Sequence, residues 1–200
     1  MKLTVKGIEE GQPVPEKFAL GIYDPENHMA LGQNLNPQLQ WSDVPEGTRS
    51  LVVMIKDRDA PSVADDVNQE GKTVSSDIPR VDFYHWLLVD VPPTVNKIDE
   101  GQESHEVVPG GKKPVTDALG KRGLNDYTDF LAGNPDMAGT YGGYDGPCPP
   151  WNDEIVHRYV FTVFALDTDS LGLGEAFRGG DVEQAIDGHV LDQSSVMGTY

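Results

Sequence analysis

The chain has 200 residues, 38% of them hydrophobic, which suits one domain with a sizeable core, since a chain of this length buries roughly 70% of its unfolded surface. Its 33 acidic and 15 basic residues give a net charge of −18, which repels phosphate backbones and anionic bilayers and excludes nucleic acid and stable membrane association as expectations. No window approaches the ~18 consecutive apolar residues of a membrane span, and residues 1–7 lack the apolar segment of a signal peptide, so the chain reads as cytoplasmic.

In chain order, the first predicted strand is short, residues 3–6, and the second is the apolar run 51–56. The second run leads into Asp57-Arg-Asp-Ala-Pro61, where alternation points Asp57 and Asp59 the same way and Pro61 stops the pairing. Asp57 shares its face with Leu51, Val53 and Ile55, so its carboxylate emerges at the edge of a core. Residues 62–80 form a long polar loop, of the kind that is functional or partly disordered. The third strand, 83–89, places His85 with Phe83, Leu87 and Val89, opposite Tyr84, Trp86 and Leu88. Residues 95–134 again lack periodicity.

A rigid stretch follows, Gly143-Tyr-Asp-Gly-Pro-Cys-Pro-Pro-Trp151, in which Pro147, Pro149 and Pro150 fix φ and remove amide donors. The remaining N–H groups are expected to be held as donors. Cys148, the single cysteine, excludes an intrachain disulfide and a multi-cysteine zinc site, and between prolines it reads as a small packed residue. The strand 158–166 comes next, with His157, Tyr159, Phe161 and Val163 on one face. Both faces are largely apolar, as in a central strand. Near the C-terminus, Asp181 and Gln184 form a capping-box pattern for a helix whose apolar face carries Val182, Ala185, Ile186, His189 and Val190, His189 being a satisfied core histidine.

Two histidines among apolar neighbours, a strand-end aspartate and a Gly-Pro loop together suggest one shared pocket. Histidines and amides donate hydrogen bonds, and Asp57 can fix an imidazole tautomer. That set suits a phosphate-sized anion, and a zwitterionic phosphate-ammonium group would also satisfy the carboxylates.

With those residues in hand, the chain resembles the phosphatidylethanolamine-binding proteins, in the bacterial branch called Raf kinase inhibitor-like. Asp57-Arg-Asp-Ala-Pro61 is similar to the family's Asp-Pro-Asp-Ala-Pro block, His85-Trp86 to its second-strand histidine, and Gly146-Pro-Cys-Pro-Pro150 with His157-Arg-Tyr159 to its signature. The resemblance implies a mainly β, sandwich-like fold with a large central sheet, long loops and a short C-terminal helix, in a single domain spanning residues 1–200. It also implies an anion pocket lined by Asp57, Asp59, Pro61, His85, Tyr144, Gly146, Pro147 and His157, and a homodimer. Arg58 departs from the family's proline and would add a cation at the rim, while residues 151–156 lengthen the path to His157.

The leading expectation is non-catalytic binding of a small phosphorylated or zwitterionic ligand, with no cofactor, metal or catalytic residue. A protein partner, a kinase or serine protease inhibited by contact, is the alternative that the resemblance implies. A metal-dependent hydrolase using His85, His157 and Asp57 is a further one, although no metalloprotease helix, nucleophile elbow or phosphate-binding loop accompanies it.

Overall fold

A computed structural model describes residues 1–200. The strands are β1 (Lys2–Val5), β2 (Gly21–Asp24), β3 (His28–Leu31), β4 (Leu39–Ser42), β5 (Ser50–Pro61), β6 (Arg80–Val91), β7 (Lys97–Ile98), β8 (Thr116–Asp117), β9 (Gly120–Arg122), β10 (Arg158–Leu166) and β11 (Val190–Thr199). Two short helices, α1 (Tyr127–Phe130) and α2 (Gly179–Ile186), complete the set with one 3-10 turn at Glu16–Phe18.

Six strands form an antiparallel sheet in the order β11-β10-β5-β6-β9-β8, so β10 is a central strand, paired on both sides as its apolar faces require. A three-stranded sheet, β1-β4-β7, packs on one face of it. Leu3, Leu39, Trp41 and Ile98 from the small sheet meet Leu51, Val53, Ile55, Trp86, Phe161 and Val163 from the large one. The opposite face is covered by α2, whose Val182 and Ile186 bury Val52, Met54, Leu87 and Val89. The fold is therefore mainly β, a sandwich with a helix on its outer face. No helix is long and apolar enough to cross a membrane.

Three register slips break the alternation between β5 and β6, and two of them aim the site. Ile55 stands opposite Trp86 but Lys56 opposite Tyr84, so His85 is an extra residue in β6. The slip turns His85 and Phe83 to the end of the core side, while Tyr84 turns toward α2, where its ring lies against Gly179. A second slip, between Asp57 opposite Phe83 and Ala60 opposite Val81, leaves Asp57 and Ala60 facing inward and turns Asp59 aside. Bulges concentrate beside functional sites because they re-aim side chains in this way.

Two other expectations are corrected. Helix α2 begins at Gly179, with Arg178 at its N-cap and Asp181 in the third position, where the Asp181 carboxylate accepts the Arg178 amide at 2.8 Å. The helix ends at Ile186 and Gly188 takes φ +78°, so His189 and Val190 leave it. His189 is exposed and paired with Asp167 at 2.7 Å, not buried in a core. Residues 95–134 are not structureless: β7, β8, β9 and α1 lie within them, each too short, at two to four residues, to show a period.

Candidate functional site

The ends of β5, β6 and β10, helix α1 and residues 148–150 enclose a small pocket of about 90 Å³. Of its 14 lining residues 8 are hydrophobic, so the few polar groups inside decide what it can hold.

His157, 1% exposed, sits between two carboxylates. Its Nδ1 lies 2.6 Å from Asp57 Oδ2 and its Nε2 3.2 Å from Asp153 Oδ2. Both ring nitrogens face acceptors, and only the imidazolium can donate at both. Burial opposes that charge, but Asp57 first and then Asp153 outweigh it and raise the pKa above the ordinary 6.5. Asp153 is in turn gripped by Arg80, with Nη1 at 2.6 Å and Nη2 at 3.0 Å from its two oxygens. Two cations and two anions thus form a neutral buried cluster. The second carboxylate comes from residues 151–156, the segment that departs from the family pattern.

His85 has the opposite character. It is 2% exposed, ringed by Phe83, Tyr159 and Tyr127 with centroids 5.0, 5.2 and 5.4 Å away. Burial lowers its pKa below the ordinary value, so the ring is neutral. Its Nδ1 lies 2.8 Å from the carbonyl oxygen of Asp145, which can only accept, so Nδ1 carries the hydrogen and Nε2 is an unpaired acceptor. That carbonyl is held by its own side chain: Asp145 accepts Asn34 at 2.8 Å, Lys112 at 2.9 Å and Asn125 at 2.8 Å. Beside His85, the Tyr159 hydroxyl is fully buried and makes no well-formed hydrogen bond, with the Asp57 carboxylate as its charged neighbour; burial first and then Asp57 raise its pKa well above 10. The Cys148 thiol is pushed up to about 11 by burial.

Of the eight residues named from the resemblance, Asp57, Pro61, His85 and His157 line this pocket. The other four lie outside its walls. Asp59, turned away by the bulge, is clamped by Arg158, whose Nε and Nη2 lie 2.8 and 2.7 Å from its oxygens. Burial would raise the Asp59 pKa, but Arg158 holds it below the usual value. Tyr144 lies in the main core, 0% exposed, donating to the Phe18 carbonyl at 2.6 Å and standing edge-on to Trp86. The Gly146 amide donates to Asn34 Oδ1 at 2.8 Å, and the Pro147 carbonyl accepts from Leu20 and Gly21 at 2.9 and 3.1 Å. The Asp145 amide donates to the His85 carbonyl at 3.0 Å, so the amides of Asp145 and Gly146 both tie the loop to the body and are not offered to a ligand. Arg58 pairs with Asp82 at 3.2 Å, beside the Lys56–Glu183 contact to α2, and contributes no cation to the pocket wall.

Several lining residues escaped sequence reasoning. Tyr159 was legible, since alternation puts it on the face of His157. Tyr127 and Phe130 come from the single turn α1, whose only signal is aromatic residues three apart. Ala64 and Val67 come from the 62–79 loop and close one side. That loop is docked by Asn152, whose amide donates to the carbonyls of Asp66 and Lys72 at 2.9 and 3.1 Å and accepts the Asn68 amide at 2.9 Å.

The fold is a β-sandwich with a small, half-apolar pocket at its strand ends. The chain belongs to the phosphatidylethanolamine-binding protein family, whose profile matches residues 4–200. It is 30% identical to a UPF0098 protein of Aquifex aeolicus, over 100% of this chain and 88% of the relative. To the UPF0098 protein YbhB of Escherichia coli it is 29% identical, covering 100% and 99%. Among solved structures it is similar to the family homologue CT736 of Chlamydia trachomatis, at TM-score 0.65 and 27% identity over 100% and 95% of the two chains. Escherichia coli YbcL shares the fold, at TM-score 0.68 and 24% identity over 100% and 96%.

Proposed function

We propose that the protein is a non-catalytic binding module for a small phosphate-bearing ligand. The observation that carries this reading is the Tyr159 hydroxyl, buried without a partner beside the free Nε2 of His85. An unpaired buried hydroxyl costs about 1–3 kcal/mol, and a ligand oxygen would recover it. The pocket's volume of about 90 Å³ is roughly three waters' share of liquid, far below the ~300–1,000 Å³ of drug-sized sites, and suits a single headgroup.

The chemistry supports binding over turnover. His157 is committed to two carboxylates and has no lone pair for a metal or a proton. Cys148, with its thiol pushed up to about 11, holds almost no thiolate at neutral pH. Covalent catalysis needs a nucleophile hydrogen-bonded to a free base, and although Cys148 and Tyr159 share this wall with His85, neither is bonded to its ring. Calorimetry with phosphoethanolamine tests the reading: one equivalent should bind, and Tyr159→Phe and His85→Ala should each weaken it about tenfold or more. Unchanged affinity in both variants would remove the pocket from the account, and stoichiometric zinc in the purified protein would favour the hydrolase instead.

A further inference from the structure

The ionic groups of the pocket are already matched. Asp57 and Asp153 face His157 and Arg80, so a doubly charged phosphate would find no spare cation there. Two polar atoms remain unspent. The Tyr159 hydroxyl is a donor without an acceptor, and His85 Nε2 is an acceptor without a donor. The second assignment is firm because reversing it would set an Nδ1 lone pair against the Asp145 carbonyl at 2.8 Å, and Asn34, Lys112 and Asn125 hold that residue still. One donor beside one acceptor calls for a ligand that carries both functions on one centre.

We propose that the pocket takes a phosphate monoester in its proton-bearing, singly charged form, with the P–OH group donating to His85 Nε2 and a second phosphoryl oxygen accepting from Tyr159. The inference rests on the phosphate-binding reading above and sharpens it. A phosphate diester, such as the headgroup of an intact phospholipid, has no P–OH and leaves Nε2 unpaired. The groups around His85 are Asp57 of β5, Tyr159 of β10, Tyr127 of α1 and Asp145 of the Gly-Pro loop, and His157 and Cys148 line the same pocket. Tyr127, Tyr159 and Cys148 keep their protons through neutral pH because burial raises all three, and Asp57 is bonded to His157. The exchangeable proton is therefore shared between ligand and His85. Whichever atom holds it, the complex carries one proton more than the free protein and a dianion.

A monoester's second ionisation lies near pH 6, so affinity should be level below it and fall about tenfold per pH unit above it. Ethyl phosphate and diethyl phosphate, titrated calorimetrically from about pH 5.5 to about pH 8 in buffers of different ionisation enthalpy, read this out. Ethyl phosphate should take up about one proton at the alkaline end and almost none at the acid end, and diethyl phosphate should bind about tenfold or more weakly at pH ~6. Tyr159→Phe removes a hydroxyl that makes no well-formed hydrogen bond in the fold, so it should fold normally and lose about tenfold affinity with the pH slope intact. His85→Gln, whose amide does not titrate, should flatten the slope. A flat profile for ethyl phosphate, or equal affinity for the two esters, overturns the proton-bearing assignment and leaves phosphate binding standing. If neither ester binds at any pH, both readings fall.

Discussion

At the residue scale, two histidines of one pocket are held in opposite protonation states by their neighbours. His157 is kept charged by Asp57 and Asp153, and His85 is kept neutral by burial and by the Asp145 carbonyl. Nitrogen-15 spectra at neutral pH should show His157 protonated at both nitrogens and His85 protonated at Nδ1 alone. A neutral His157, or a His85 protonated at Nε2, would contradict the geometry. The two shifts act on stability with opposite sign. The raised pKa of His157 contributes stability that is complete below 6.5 and is lost as pH rises through its folded value. The lowered pKa of His85 disfavours protonation in the fold, so its contribution is lost as pH falls below 6.5. Both histidines were legible in the sequence as strand residues among apolar neighbours. Their charge states were not, because Asp153 and the Asp145 carbonyl reach them only through folding of loops that have no period.

At the scale of elements, the Gly-Pro loop is a buttress for the pocket, and its glycine is there for close approach. A Cβ on Gly146 would lie 1.9 Å from the Phe18 carbonyl oxygen, a backbone atom that cannot swing aside. Gly146→Ala should therefore destabilise the fold by about 3 kcal/mol in urea unfolding, at the upper end of overpacking costs. Gly180 is the internal contrast: it is exposed inside α2, with nothing within 4 Å of its would-be Cβ, so Gly180→Ala should stabilise by about 1 kcal/mol. The opposite order of the two variants would show that the loop packs differently. Asn152 latches the 62–79 loop, and Asn152→Ala should speed hydrogen exchange at residues 66–72 while leaving the sheet protected. Unchanged exchange there would assign the docking to other contacts. The strands themselves could be read from apolar runs such as 51–56 and 158–166. The bulges at His85 and after Asp57 could not, since a single extra residue has no sequence signal yet reverses every face beyond it. This is why Asp59 was expected beside Asp57 and is found on Arg158.

At the scale of the molecule, a net charge of −18 on 200 residues means that the fold works against its own repulsion. Raising sodium chloride from about 0.05 M to about 1 M shortens the screening length from over 10 Å to about 3 Å, so the urea midpoint should rise. A midpoint that falls would mean that the surface ion pairs contribute more than the excess charge costs. The interior of the pocket escapes this field because its charges, Asp57 and Asp153 against His157 and Arg80, cancel locally. The family, the sandwich and four of the pocket's 14 lining residues were named from local sequence blocks, whereas Tyr127 and Phe130 of α1 and Ala64 and Val67 of the 62–79 loop depended on long-range closure. The central claim, that His85 and Tyr159 receive a phosphoryl group, is tested most directly by a crystal structure with phosphoethanolamine at saturating concentration. The account predicts phosphoryl oxygens within about 3 Å of both Tyr159 Oη and His85 Nε2, with His157 still between Asp57 and Asp153. Ligand found elsewhere on the surface, with the pocket holding only water, would contradict it.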